Sequence, residues 1–344
     1  MTNKLVKWYK KNKRDLPWRY TKDPYHIWVS EIILQQTKIK TGLSYYLKFL
    51  DSFPDIYHLA SATENQVLNV WQGLGYYQRA LNMLSTAKNI VNNNNGIFPK
   101  KYKQLIQLKG IGPYTAAAIS SICNNEQQGV VDGNVYRVLS RFYNISEPIN
   151  TSKGAKIFQN IANKLVPEKS PGRYNQAIMD FGATQCKKYN PSCLSCPLNK
   201  DCAARKLNLI DLRPIKSKMK KYRLRYFHYL FITNEKKIII QKRENNDIWE
   251  KLYQLPLIEG IGPLQKNVLH NHKILNGINV LQMRKKKTIK HILSHQKLEI
   301  TFWIINVKHF PKNNSYQKIN LKDIANYPFA KPLKKFLEIQ ARNT

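Results

Sequence analysis

The apolar residues of this 344-residue chain change their period part-way along, and that change limits the folds open to it. Up to Ile210 they recur at helical spacing, as in "DPYHIWVSEIILQQTK", "ENQVLNVWQ", "YQRALNMLSTAKNIV", "YTAAAISSIC", "NVYRVLSRFY" and "YNQAIMDFGATQC". Little in this stretch reads as strand. In the first of these segments Asp23 is the expected N-cap and Pro24 the first helical residue. Beyond Tyr222, β-branched and aromatic residues take over in "YFHYLFITNEKKIIIQKR" and "KLEITFWIINV", with turn residues between the first two apolar runs. The chain is also longer than one hydrophobic core usually holds. It therefore reads as multidomain: an all-α domain over residues 1–210, a basic linker over 211–223 that contains Pro214, and an α+β domain over 224–344.

Lys and Arg number 57 against 21 Asp and Glu, a formal net charge of +36. A surplus of that size suits a polyanionic partner. It does not define one, because the chain is also crowded with Asn and Ile, as in "IVNNNNGIF", and an AT-rich coding sequence supplies Lys, Asn and Ile together. The first residues, "MTNKLVKWYKKNKRDLPWR", hold no apolar core of the signal-peptide kind. No later stretch approaches ~18 uninterrupted apolar residues. A cytoplasmic protein with no membrane partner is expected.

Of five cysteines, four fall within seventeen residues: Cys186, Cys193, Cys196 and Cys202, spaced C-x6-C-x2-C-x5-C with Pro191 and Pro197 shaping the loops. Thiolates so close together suit a metal centre, whereas stable disulfides do not suit a cytosolic chain. Spacing alone leaves zinc and iron-sulfur both open. Cys123, in the alanine-rich helix, reads as a core cysteine.

The segment "LKGIGPYTAAAIS", residues 108–120, sets a tight glycine turn before a helix opened by Pro113 and Tyr114. Gly110 and Gly112 would let the backbone turn and approach a phosphate, whose charge the first amides of the helix would meet. A plain helix-helix turn has the same pattern. Taken with "VVDGNVYRVLSRF" and the four-cysteine loop, however, the segment resembles the helix-hairpin-helix DNA glycosylases that include endonuclease III. "LPWR", "PYHIWVSEIILQQT", "WQGLGYYQRA" and "YNQAIMDFGATQC" resemble one branch closely, the MutY-type adenine DNA glycosylases. These motifs run in one order from about Leu16 to Cys202.

The resemblance implies a 4Fe-4S cluster on Cys186, Cys193, Cys196 and Cys202. It implies a hairpin that grips DNA without reading its sequence. Tyr114 stands where bifunctional relatives carry a lysine that forms a Schiff base with the sugar, and tyrosine cannot form that imine. A monofunctional enzyme is implied, with Tyr114 beside the flipped nucleotide. Its substrate would be duplex DNA with adenine opposite 8-oxoguanine or guanine, and a monomer is expected to act on it.

Glu31 shares a helical stripe with Ile27 and Leu34, where desolvation would raise its pKa and keep a proton available. Most helical glutamates face solvent; the resemblance of "SEIILQQT" to the family's catalytic helix is what makes Glu31 the acid. Asp132, with Gly133 and Asn134 beside it, is an N-cap by position and by resemblance the anion that stabilises a sugar cation. The helix dipole is expected to keep Asp132 ionised while Glu31 stays protonated. Asn134 and Tyr114 would orient the two carboxyls.

By family position Arg14, Leu16, Trp18 and Arg19 form the adenine pocket, with Gln176 also near the base, and Gln36 and Tyr76 enter the base stack. From the residues alone Trp18 and Tyr76 serve equally well as core aromatics. Two adjacent tyrosines in "GLGYYQRA" cannot share one helical face.

The C-terminal part resembles the Nudix-like recognition domain of adenine glycosylases through "NDIWEKLYQLPLIEG" and "KHILSHQKLEITFW". Ser294 and His295 match a Phe-Ser-His segment that contacts DNA, but Leu293 replaces the phenylalanine and Lys297 replaces a second histidine. No Nudix catalytic box follows "QLPLIEG", so recognition rather than pyrophosphate hydrolysis is implied. Two other readings compete: a bifunctional lyase in which Lys109 supplies the amine, and a lesion-binding sensor that does not cut.

Overall fold

The computed structural model describes residues 1–217, 222–234, 237–244, 247–293, 295–311 and 315–342. The chain divides into two compact units, Met1–Ser61 with Asn82–Met219, and Ala62–Leu81 with Lys220–Thr344. The expected linker over 211–223 falls partly on residues 218–221, outside the described set.

The helices follow one another as α1 (Thr2–Asn12), α2 (Pro24–Leu34), α3 (Ile39–Ser52), α4 (Ile56–Ser61), α5 (Glu64–Trp71), α6 (Gln78–Asn94), α7 (Tyr102–Leu105), α8 (Pro113–Asn124), α9 (Gly133–Phe142), α10 (Ser152–Leu165), α11 (Pro171–Thr184) and α12 (Ala203–Lys206). Among the described residues no strand precedes Arg223. In the first unit α11 packs on α1, α8 and α9, while α2 packs on α3 and α8. The facing ends of α2, α8, α9 and α11 supply the site described below.

Helix α2 starts as its sequence predicts. Asp23 Oδ1 accepts from the backbone N–H of Tyr25 at 2.7 Å and of His26 at 3.4 Å, and Pro24 occupies the first turn. Tyr25, Ile27, Trp28, Val29, Ile32 and Ile33 are all buried, so apolar residues cover nearly every side of the helix. A carboxylate on it has little route to bulk water, and Glu31 is buried with them. Helices α9 and α11 meet even more closely: a Cβ on Gly182 would lie 2.7 Å from Asn134 Cβ, so only glycine allows this approach. Cys123 departs from the core position expected for it. It is half-buried near the end of α8, though burial still pushes its thiol up to about 12.

The second unit holds β1 (Arg223–Asn234), β2 (Lys237–Lys242), β3 (Tyr253–Gln254), β4 (Leu257–Gly260), α13 (Lys266–His270), β5 (Val280–Ile292), β6 (Gln296–Val307), β7 (Gln317–Asn320) and α14 (Lys331–Arg342). The strands form one mixed seven-stranded sheet in the order β3-β2-β1-β6-β5, with β4 on β1 and β7 on β2. Strands β1 and β6 pair in parallel from Arg223–Gln296 to Thr233–Asn306. Both are buried on two faces, which explains their unbroken apolar runs. On one face Phe336 of α14 stacks on Phe302 at 4.1 Å and meets Phe231 edge-on. On the other, Leu230, Ile232, Ile239, Trp303 and Ile305 form a core.

Strand β5 was not legible as a strand. Its "RKKKTIKH" segment is almost wholly exposed, consistent with lysines guarding a sheet edge. Among the described residues no helix is long and apolar enough to cross a membrane.

Candidate active site

A cleft of about 560 Å³ opens in the first unit, lined by Glu31, Tyr114, Asp132, Asn134, Arg14, Leu16, Trp18, Arg19, Gln36 and Gly112, with Met179 beside them. Ten residues picked out from the sequence thus share one cavity, large enough for a nucleobase.

Glu31 is 7% exposed. Its Oε2 accepts from the Tyr114 hydroxyl at 2.6 Å. Burial pushes its carboxyl above the usual range; the Tyr114 hydrogen bond and Arg19 pull it back, and Asp132 pushes it up again. With Oε2 accepting from the Tyr114 hydroxyl, a proton on this carboxyl would sit on Oε1. The Tyr114 hydroxyl also lies 3.1 Å from Met179 Sδ, and burial and the two carboxyls hold its pKa well above the ordinary value. The phenol therefore stays protonated and donating.

Asp132 caps α9. Its Oδ1 accepts from the backbone N–H of Asn134 at 2.9 Å and of Val135 at 2.8 Å, and its Oδ2 accepts from Asn134 Nδ2 at 2.8 Å. The amide orientation of Asn134 is dictated by Arg137, which has only donors to offer. Arg137 Nη2 donates to Asn134 Oδ1 at 2.8 Å and to Gly182 O at 2.6 Å, and its Nε donates to Cys186 O at 2.8 Å. Asn134 must then turn its NH2 toward Asp132. Every partner of Asp132 is an N–H, a pattern that only an accepting carboxylate satisfies throughout.

One expectation needs correcting here. The two carboxyls do not have opposed environments, because enclosure by protein raises Asp132 as it raises Glu31. The N–H donors and Arg137 offset that rise at Asp132 without reversing it. What separates the two is their partners: three N–H donors on Asp132, one hydroxyl on Glu31.

Trp18 and Leu16 are 3% and 5% exposed, and Trp18 packs edge-on against Tyr46 at 5.0 Å. They are core residues whose surfaces also wall the cleft. Gln176 is not among the lining residues; its Oε1 accepts from Tyr9 at 3.1 Å. Asp180 and Arg137 were missed in the sequence. A lone Asp180 among Ile178, Met179 and Phe181 is a signal in retrospect, since a carboxylate there must find a cation.

In the hairpin, Gly110 has φ +80° and its Cβ would meet Asn82 Cβ at 2.7 Å, so glycine is required twice over. Ile111 is buried between the two exposed glycines. Gly112 differs from expectation: its φ is −88° and a Cβ there would touch nothing, so nothing within the protein demands glycine. Gln36 is exposed with φ +57°. In the second unit Tyr76 is 47% exposed with φ +49°, while its neighbour Tyr77 is 6% exposed and donates to Phe329 O at 3.4 Å. Gln36 and Tyr76 are two of ten described non-glycine residues with positive φ, a conformation that costs strain in residues other than glycine and asparagine.

Cys186, Cys193, Cys196 and Cys202 are half-buried free thiols lining one small cleft. Burial raises all four, Cys196 to about 11. The buried Arg141 reaches Cys186 Sγ at 3.5 Å, and its carbonyl accepts from Cys202 Sγ at 3.5 Å. Among the described residues no three His, Cys, Asp or Glu side chains are set to hold a single metal ion. In the second unit His295 is exposed and Gln296 Nε2 lies 3.1 Å from its Nε2. Leu293 is half-buried, Lys297 lies over the Tyr222 ring at 5.1 Å, and Ser294 falls outside the described residues.

Residues 29–168 match the family described as HhH-GPD superfamily base excision DNA repair protein, and residues 228–339 match the NUDIX domain. An adenine DNA glycosylase of Buchnera aphidicola subsp. Baizongia pistaciae is 36% identical over 93% of this chain and 90% of its own length. The chain belongs to the adenine DNA glycosylases. A second member, from Buchnera aphidicola subsp. Acyrthosiphon pisum, is 34% identical over 98% of the chain and 97% of its own length. The adenine DNA glycosylase of Homo sapiens is 40% identical over 58% of the chain and 38% of its own length. Among solved structures, a thermostable thymine-DNA glycosylase is 28% identical, with a TM-score of 0.56 over 60% of this chain and 95% of its own. A trapped endonuclease III-DNA covalent intermediate has a TM-score of 0.52 over 60% of this chain and 95% of its own; at 19% identity it shares the fold. The enzyme is thus a DNA glycosylase of base excision repair, with a helix-hairpin-helix core followed by a Nudix-like domain.

Proposed function

We propose that this glycosylase is monofunctional and hydrolyses the N-glycosidic bond of adenine paired with 8-oxoguanine or guanine. The observation that carries this reading is the 2.6 Å hydrogen bond from Tyr114 to Glu31, which sets a phenol, not an amine, beside a buried carboxyl in the cleft. The adenine is flipped into that cleft, walled by Arg14, Leu16, Trp18 and Arg19. Glu31 Oε1 gives its proton to the base as the bond to C1′ breaks, and the bonding electrons leave with the adenine. The sugar becomes an oxocarbenium-like cation. Asp132 stabilises it electrostatically or captures it at C1′, and water then adds at C1′, any bond to Asp132 breaking to release its carboxylate, with the water proton passing to the Glu31 carboxylate. Asn134 holds the Asp132 carboxylate in place.

Gly110 and Gly112 lead into α8, whose first amides would hold a DNA phosphate. A Cβ on Gly112 would meet only open space among the described residues, so the backbone there is unobstructed. Gln36 and Tyr76, both exposed on left-handed backbone, suit insertion into the base stack. His295, with Ser294, is assigned to the DNA strand opposite the target. The glycosylase domain is taken as 1–210, the linker as 211–223 and the recognition domain as 224–344, acting as a monomer.

Cys186, Cys193, Cys196 and Cys202 would hold one 4Fe-4S cluster. Four thiols lining one cleft would suit either zinc or an iron-sulfur cluster, and the family resemblance alone selects the cluster. The cluster would staple the loop that also presents Cys186 O to Arg137. Purified enzyme should be brown with broad visible absorption that is lost in a Cys196→Ser variant; a colourless preparation containing zinc would overturn this cofactor.

The function is tested with an end-labelled duplex carrying adenine opposite 8-oxoguanine, run on denaturing gels with and without alkali. A cut at the adenine only after alkali is expected. Cutting without alkali would mean that an amine such as Lys109 acts as a lyase nucleophile, and binding with no cut in either lane would mean that the protein is a sensor.

A further inference from the structure

Asp180 takes no part in the chemistry above, yet its side chain has no solvent exposure. It follows Met179, a lining residue of the cleft, on α11. Its Oδ1 accepts from Arg14 Nε at 3.1 Å, Arg14 Nη2 at 2.5 Å and Arg19 Nη2 at 2.7 Å, and its Oδ2 accepts from the Arg14 backbone N–H at 3.2 Å. Both ends of the segment Arg14–Arg19 therefore converge on one carboxylate. Between them lie Leu16 and Trp18, and all four residues wall the cleft.

Arg19 is itself nearly enclosed, with 6% of its side chain exposed and its buried Nε without a hydrogen-bond partner among the described residues. A guanidinium so placed cannot be screened by water, so its field reaches whatever shares the cavity. Glu31 shares it. The titratable and charged groups that act on Glu31 are Tyr114 from α8, Arg19 from the turn before α2, and Asp132 at the cap of α9. Arg19 is the cation of that set, and Asp180 is the carboxylate in contact with it.

We propose that Asp180 is a positioning residue with two effects: it clamps Arg14–Arg19 as a wall of the base pocket, and it neutralises Arg19 so that Glu31 keeps its proton. This rests on Glu31 being the acid. Burying a carboxylate is costly unless it is fully paired. The four donors satisfy that need and tie the pocket wall to α11 in the same contact.

The test is the pH dependence of single-turnover adenine release in the wild type, Asp180→Asn, Asp180→Glu and the Arg19→Gln/Asp180→Asn double variant, with Glu31→Gln as control. The rate requires protonated Glu31, so it falls as pH rises through the Glu31 pKa. In Asp180→Asn the uncompensated Arg19 favours the Glu31 carboxylate, and the alkaline limb should move to lower pH by about one unit. Removing the cation as well should bring the limb back. Asp180→Glu keeps the charge and should keep the wild-type limb at a reduced rate, which preserves the test if Asp180→Asn unfolds. An unmoved limb in Asp180→Asn, a double variant displaced as far as the single, or a displaced limb in Asp180→Glu would each overturn the proposal. An active Glu31→Gln would show instead that the acid was misassigned, and the proposal would fall with it.

Discussion

Glu31→Gln should slow single-turnover release of adenine by about 10²–10⁴-fold, the usual contribution of a positioned general acid. Binding of the duplex should be unchanged. The substitution is close to isosteric, and the glutamine carbonyl can still accept from Tyr114 as Oε2 does now. It also removes a carboxyl whose ionised form burial disfavours, so the fold has no reason to weaken. What is lost is the transferable proton, because an amide cannot give one to the leaving base. The measurement is excised adenine under enzyme excess, alongside an electrophoretic binding assay with the same duplex. A variant as fast as wild type would remove Glu31 from the mechanism.

Asp132→Asn should cost about 10²–10³-fold, the range seen when a group stabilising transition-state charge is removed, and it should also lower the melting temperature. Two separate physical causes act here. The amide carries no charge to set against the sugar cation. It also creates a donor-donor conflict. An asparagine at 132 can keep its oxygen on the two backbone N–H groups of α9, but its NH2 then faces the NH2 of Asn134. Asn134 cannot turn over to relieve this, since Arg137 holds its Oδ1. Single-turnover kinetics together with thermal denaturation check both effects. A variant with full stability and a lost rate would leave the charge as the whole explanation, and one with full rate would refute the assignment.

The link from Asp132 through Asn134 and Arg137 to the carbonyl of Cys186 also joins the cap of α9 to the cysteine loop. Substitutions in that loop that spare the thiols can therefore disturb the cap by moving one carbonyl. Gly182 is part of the same joint, since its lack of a side chain lets α11 meet α9 at Asn134 and bring its carbonyl to Arg137.

Much of this was legible along the chain because it is local. A cap lies within three residues of the amides it serves, so Asp23 before Pro24 and Asp132 before Asn134 could be read directly. Four cysteines in seventeen residues are close in space whatever surrounds them. The unbroken apolar runs of β1 and β6 declare strands buried on both faces. Where charge outweighed pattern the reading failed: the lysines of β5 concealed a strand, since an exposed edge needs no apolar alternation.

The rest depended on residues far apart in sequence. Gln176 and Asp180 lie one helical turn apart on α11, yet one meets Tyr9 and the other meets Arg14 and Arg19, a choice set by how α1 and the segment after it lie on α11. Tyr76 and Tyr77 look interchangeable in sequence, but one is exposed on left-handed backbone and the other is buried. The carboxyls of Glu31 and Asp132 were expected to differ through a helix dipole, a local property. Burial proved the larger influence on both, and burial is a sum over every element packed around a group. Residue types, caps and thiol spacing are written within a few positions of one another. Which buried charge meets which cation is written nowhere along the chain, because it is settled when helices separated by more than a hundred residues pack together.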